Sequence, residues 1–306
     1  MKTRHFLMMA TLTVGIAMTS MMITSCSKAD NPVEELEGAP SSGYYGIPED
    51  MLDLSKLVEA NPRTLLLKDG AFVTGRLSVV YDIVVAKGAS ITLYNVTIKN
   101  PNRPDTVSGH WGIKCEGDAV INLLGKNYVE ALFPHYPGVQ PGPEGTTLTI
   151  RGSGSLIAIP YIYLENESDA PGIGAGFNQT VGNIVIESGD ITVYGGDESA
   201  GIGTSRGSTC GDITICSGSD AVKLYVTKGE YSQYSIGPGI DGKCGTVTID
   251  CTKDSNGNIV GGTTGYISES PFKILKESDS SYYIPDNTNV QPEEGGDNTP
   301  VGIPED

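Results

Sequence analysis

An all-β fold, a right-handed parallel β-helix of about seven rungs, is what this sequence predicts, and three observations predict it. One unit is written three times between residues 170 and 250. Ala170-Pro171-Gly172-Ile173-Gly174 precedes Gly182-Asn183-Ile184-Val185-Ile186, and Ala200-Gly201-Ile202-Gly203 precedes Gly211-Asp212-Ile213-Thr214-Ile215 at the same spacing. Ser235-Ile236-Gly237 and Gly245-Thr246-Val247-Thr248-Ile249 complete the set. The second observation is that the strand half recurs upstream, so that glycine starts fall at 88, 117, 145, 182, 211 and 245, in steps of 29, 28, 37, 29 and 34 residues. The third is what each unit holds: short stretches with an apolar residue at every second position, glycine-rich corners and no amphipathic helix. Such a unit cannot bury its apolar face alone, and stacking on its copies is the remedy.

The elements follow in order. Lys2 and Arg4 precede an apolar run from Phe6 to Ile23 that closes on Thr24-Ser25-Cys26, which reads as a secretory leader over residues 1–25. Cys26 resembles the lipid-attachment residue of bacterial lipoproteins. That resemblance implies an outer-membrane protein tethered by lipid and carried at the cell surface, the periplasmic face being the alternative. Residues 26–45 are rich in Pro, Gly, Ser and Glu and form a flexible tether. The β-helix domain spans residues 46–277. It opens with Leu52, Leu54, Leu57 and Val58, readable as a short helix or, preferably, a strand that caps the stack. Leu65, Leu67, Phe72, Leu77, Val79, Ile83 and Val85 supply the first rung, and Ile113, Val139, Ile173, Ile202 and Ile236 form an aliphatic column. Beyond Cys251, Asp254-Ser255-Asn256-Gly257 is a hairpin-like turn before a last apolar group of Tyr266, Ile267, Phe272, Ile274 and Leu275. Residues 278–306 are polar and acidic, and disorder is expected there. Gly302-Ile303-Pro304-Glu305-Asp306 copies Gly46-Ile47-Pro48-Glu49-Asp50.

The formal charge is −17 at pH 7, and loss of Lys2 and Arg4 with the leader makes it more negative. So acidic a chain repels phosphates, which argues against nucleic acid as a partner. Neutral glycans are tolerated, and the protein is expected to be a monomer. Five cysteines remain after Cys26. Cys210 and Cys244 each stand one residue before a repeat glycine, so they meet on neighbouring rungs about 4.8 Å apart, within disulfide reach. Cys216 and Cys251 are equivalent to within one residue and pair the same way. The alternative for both is a buried thiol ladder. Cys115 lies three rungs from Cys210, too far to bridge.

Two stretches break the economy of the repeat, residues 127–144 and 159–169, and excursions from a regular scaffold are where binding concentrates. Aligning Gly112 with Gly138 sets His110 on Tyr136 and Trp111 on Pro137, with Phe133 and His135 close by. Sugars present flat C–H faces that stack on aromatic rings, so His110, Trp111, Phe133, His135 and Tyr136 form a candidate platform that Tyr161 and Tyr163 extend. The competing reading is that these rings fill corners beneath the loop. Glu165, Glu167 and Asp169 could hold calcium, although solvated carboxylates are the simpler reading; no other cofactor is expected. The Gly-Ile-Gly units lack the Lys-Ser/Thr and the helix that a phosphate loop needs.

The Gly-Ile-Gly and Gly-x-Ile-x-Ile units, with Trp111-Gly112-Ile113 upstream and Cys244-Gly245-Thr246-Val247-Thr248-Ile249 downstream, resemble the glycine-rich β-helix lipoproteins of Gram-negative gut bacteria over residues 52–251. Such proteins are often labelled carbohydrate-binding and are remotely similar in fold to pectate lyases and polygalacturonases. The resemblance implies a surface protein that binds polysaccharide. An adhesin or structural protein with a protein partner is the alternative, and a polysaccharide lyase or hydrolase is the second. The Asn-x-Asp, Asp-Asp, Gly-His-Gly and Arg-x-Lys segments of the hydrolases have no counterpart, Gly109-His110-Trp111 being the nearest approach, so no catalytic residue is assigned.

Overall fold

A computed structural model describes residues 48, 50–58, 63–99, 110–161, 168–216, 222–253, 255–256 and 259–274. The chain divides into two units, Met1–Ala39 and Pro40–Asp306, and every described residue belongs to the second. Cys26, the leader, the tether at 26–45 and the tail at 278–306 lie outside the described residues.

The described chain is all β, with parallel sheets and no α-helix. Seven short strands make one wholly parallel sheet in sequence order: Thr64–Leu67, Asp82–Val85, Ile113–Cys115, Val139–Gln140, Ile173–Ala175, Ile202–Thr204 and Ile236–Gly237. Register follows the repeat. Leu65, Ile83, Ile113, Val139, Ile173, Ile202 and Ile236 are successive partners, so the aliphatic column expected from the sequence is one continuous file.

The second sheet has two wings. One wing stacks Phe72–Arg76, Ala89–Ile98, Ala119–Leu124, Thr147–Gly152, Asn183–Ile186, Ile213–Cys216 and Val247–Lys253. Its inward file runs Ile91, Ile121, Ile150, Ile186, Ile215 and Ile249. The other wing stacks Lys126–Glu130, Ser155–Ile159, Asp190–Tyr194 and Lys223–Thr227, with Val129, Ala158, Val193 and Val226 in file. All three files belong to one apolar cluster. The period-2 alternation thus turns one side chain in two inward on every strand, and no strand forms its core contacts without its neighbours.

Corners are closed by side chains as well as glycines. Asp118, Asn183 and Asp212 each offer Oδ1 to a backbone N–H of the following repeat: Thr147 at 2.9 Å, Asp212 at 2.9 Å and Thr246 at 2.7 Å. Asp212 is thereby spent on corner geometry, as its place beside glycine suggested. Gly174, Gly203 and Gly237 are register partners with φ of +144°, +137° and +137°, and a Cβ on either of the first two would strike the carbonyl of the next glycine in the column. Glycine in Gly-Ile-Gly is therefore a packing requirement.

Several local expectations are refined. Leu52–Asp53 is a strand, paired in parallel with Val73 and Thr74, and Leu54–Lys56 is a 3₁₀ turn, so both readings of that segment hold in part. Val73, not Phe72, faces the core; Phe72 is half-buried and packs on Tyr94, with ring centroids 6.1 Å apart. Val247–Lys253 and Ile259–Thr264 pair antiparallel, as the turn at 254–257 implied. Phe272–Ile274 runs antiparallel along Lys223–Thr227. Direction thus reverses at the last repeat, and the closing strands lie beside both wings.

Cys210 and Cys244 are register partners joined by a disulfide, with Cα atoms 4.7 Å apart. Cys216 and Cys251 are also partners, but no bond joins them. Their sulfurs are 3.7 Å apart, and the Cys251 thiol donates to the Ile215 carbonyl at 3.3 Å. An irregularity in the pairing after Ile215, with Asp250 at φ +62°, separates this pair from the regular one. Cys115 is fully buried at the end of Ile113–Cys115, and burial pushes its thiol up to about 12.

Candidate functional site

The segments that lead into the seven-stranded sheet form one side of the repeat, and the candidate residues gather there. His110 and Trp111 immediately precede Ile113–Cys115; Phe133, His135 and Tyr136 precede Val139–Gln140. Because Ile113 pairs with Val139, parallel register puts His110 beside Tyr136 and Trp111 beside Pro137. Ring contacts follow. His110 stacks on Trp111 at 5.0 Å, with 25° between planes, and meets Tyr136 edge-on at 4.9 Å. Tyr136 also meets Trp111 at 5.7 Å and Phe133 at 6.5 Å.

Two aspartates fix the two histidines. Asp82, one repeat earlier, lies 3.1 and 3.2 Å from His110 Nδ1 through its two carboxylate oxygens and accepts the His110 backbone N–H at 3.2 Å. Asp169, one repeat later, is 3.3 Å from His135 Nδ1. A carboxylate facing Nδ1 favours the proton on that nitrogen. His135 has φ +68°, its carbonyl accepts the Phe177 backbone N–H at 3.1 Å, and its ring packs on Phe177 at 5.7 Å. A non-glycine residue in that region is uncommon, and here it is held by three contacts to two residues, Asp169 and Phe177.

These contacts change the roles of the rings. Lys114 Nζ sits 4.3 Å from the centre of the Trp111 ring, a cation–π contact, while His110 stacks on the same indole. The indole N–H is buried without a hydrogen-bond partner. Trp111 is therefore largely committed within the protein and supports the loop. Among the large apolar rings of this side, Phe133 is 39% exposed and packs on Tyr136, and Phe177 is 40% exposed and packs on His135. Phe177 carries no signal in the sequence, because it follows a strand, at Gly176-Phe177-Asn178, inside a regular repeat and outside both irregular insertions.

Tyr161 departs from its expected role as a platform extension: it is buried. Tyr163, Glu165 and Glu167 lie outside the described residues. Asp169 is engaged with His135, and among the described residues no group of three acids, histidines or cysteines is arranged to hold a metal ion.

Further along the same side, a carboxylate row continues from Asp169. Asp197 N–H donates to the Ser168 carbonyl at 2.8 Å, and Tyr231 N–H donates to the Asp197 carbonyl at 2.8 Å, so these segments are laid edge to edge. Burial raises the Asp197 carboxyl above its ordinary value, and the negative charges of Asp169, Glu230 and Glu198 raise it further. Arg206 reaches Glu198 through two contacts of 3.2 Å.

What the fold and site define is an all-β protein of parallel repeats with two exposed phenylalanine rings, Phe133 and Phe177, and a row of carboxylates that begins at Asp169. The chain matches no family model, and no curated protein or solved structure matches it.

Proposed function

We propose that this is a right-handed parallel β-helix of about seven rungs, held at the bacterial surface through lipid on Cys26, that binds polysaccharide without chemistry. The seven-stranded sheet in strict sequence order, with both wings following the same repeat, supports the architecture. The observation that carries the function is the pair of exposed rings, Phe133 packed on Tyr136 and Phe177 packed on His135, whose Nδ1 lies 3.3 Å from the Asp169 carboxylate. Large apolar rings left open to water on an ordered scaffold are costly unless they meet a partner, and pyranose C–H faces suit them. His110 and His135, whose side chains are 44% and 49% exposed, add hydrogen-bonding capacity. The reading agrees with the resemblance to glycine-rich surface lipoproteins.

An adhesive role toward a protein partner would use the same rings, so the test must separate the two. The full chain is run on affinity gels cast with individual polysaccharides, beside the variant Phe133→Ala/Phe177→Ala. Both rings are exposed, so the variant should keep the circular dichroism spectrum and Tm of the parent. Retardation by at least one polysaccharide, lost in the variant, is the expected result. Equal mobility of the two proteins in every gel would sink the assignment.

A further inference from the structure

We propose that the ligand is a neutral glycan lying along the direction of strand stacking, across four successive repeats, and that Tyr231 is its far contact. This rests on the glycan reading above and adds the ligand's charge class and direction, together with one residue not yet placed in the site.

The direction comes from register. Val139, Ile173, Ile202 and Ile236 are successive partners, so the residues just before them are laid side by side in the same order. His135 reaches Asp169 through its side chain; Ser168 and Asp197 are joined by a backbone hydrogen bond, as are Asp197 and Tyr231. The row therefore reads His135, Asp169, Asp197, Tyr231. Tyr231 is 59% exposed and stands at the end opposite Phe133 and Phe177. Three strand spacings separate the ends, roughly 14 Å, which suits an oligosaccharide and is too long for one sugar. Aromatic rings at both ends with hydrogen-bond acceptors between them match a chain whose C–H faces and hydroxyls alternate along its length.

Charge class comes from what lines the middle. Asp169, Asp197, Glu198 and Glu230 crowd closely enough that three of them raise the carboxyl of the fourth. Arg206 is paired with Glu198, and Lys228 Nζ, which keeps its charge, hydrogen-bonds the Gln233 carbonyl at 3.2 Å, so four carboxylates stand against these two cations. A uronate, sulfate or sialate brought onto this row meets like charge, whereas sugar hydroxyls donate to it. The carboxylates act as acceptors and as a filter, and the rings supply the adhesion.

The experiment titrates the full chain with neutral hexasaccharides (gluco, xylo and manno), their disaccharides, and a hexagalacturonide at low salt. The parent should bind one neutral hexasaccharide and refuse the uronide. Tyr231→Ala should weaken the hexasaccharide about 3- to 10-fold while leaving the disaccharide unchanged, the effect of losing one stacking ring. Asp197→Asn/Glu230→Gln should make uronide binding measurable. If the parent takes the uronide as tightly as the neutral sugar, or Tyr231→Ala leaves the hexasaccharide affinity intact, this inference fails while the site at Phe133 and Phe177 can still stand. If no sugar binds at all, the glycan reading falls and this one with it.

Discussion

The stacking of the Gly-Ile-Gly units makes a sharp energetic prediction at Gly203. Its φ is +137°, and a Cβ there would be driven into the carbonyl oxygen of Gly237, its partner in the next repeat. Two costs follow from Gly203→Ala. Holding an L-residue in that backbone region costs on the order of 1–3 kcal/mol. The clash is with backbone, not with the end of a flexible side chain, so the strands must part, at about 1–3 kcal/mol more. Against this, alanine stabilises by about 0.4–1 kcal/mol through the unfolded chain. The net loss should be roughly 1–6 kcal/mol. Gly145 is the control, because its φ is +81° but a Cβ there meets nothing within 4 Å. Gly145→Ala should cost only about 1 kcal/mol. Urea unfolding followed by far-ultraviolet circular dichroism, extrapolated linearly to water, gives both numbers. If the two variants agree to within about 0.5 kcal/mol, the close approach of successive repeats at this column is not what requires glycine there.

Two further outcomes are expected. Asp197→Asn should raise Tm at pH 7, because burial and neighbouring carboxylates penalise the charged form in the folded state. A raised folded pKa means the native protein holds the proton more tightly, so the penalty is present above that pKa and fades as pH falls toward the ordinary value of 3.8. The gain over the parent should shrink in acid, and an undiminished gain at pH 3 would contradict this cause. Cys210→Ser opens a link across 34 residues of sequence and should cost about 3–4 kcal/mol, read as a lower urea midpoint; no change on substitution or reduction would show that the bridge does not hold the corner.

Much of the fold was legible because its information is local and repeated. Equal spacing between Ile173, Ile202 and Ile236, and between the glycines beside them, fixes parallel register once the chain repeats itself. The same offset predicts His110 beside Tyr136, and the rings meet there at 4.9 Å. Where the local pattern was weak, it misled. Phe72 and Val73 are adjacent apolar residues, and alternation cannot say which of them turns inward. The Cys216 and Cys251 pair shows the same limit: one irregular residue at Asp250 separates two equivalent-looking cysteine pairs, one bonded and one held apart at 3.7 Å.

By itself, then, the sequence determined the all-β class, the period and the strand partners along the two repeated columns, since a stacked repeat turns sequence offset directly into spatial contact; the wing from Lys126–Glu130 to Lys223–Thr227, and the strand Phe272–Ile274 that closes it, were decided by the tertiary structure. Exposure was decided only by the tertiary arrangement, because it depends on what lies above a ring and not on what lies beside it in the chain. Trp111 looked like the natural platform, yet His110 and Lys114 occupy its indole, and Tyr161 is buried. Phe177, within a regular repeat, stands exposed against His135, which is 177 − 135 = 42 residues earlier in the chain.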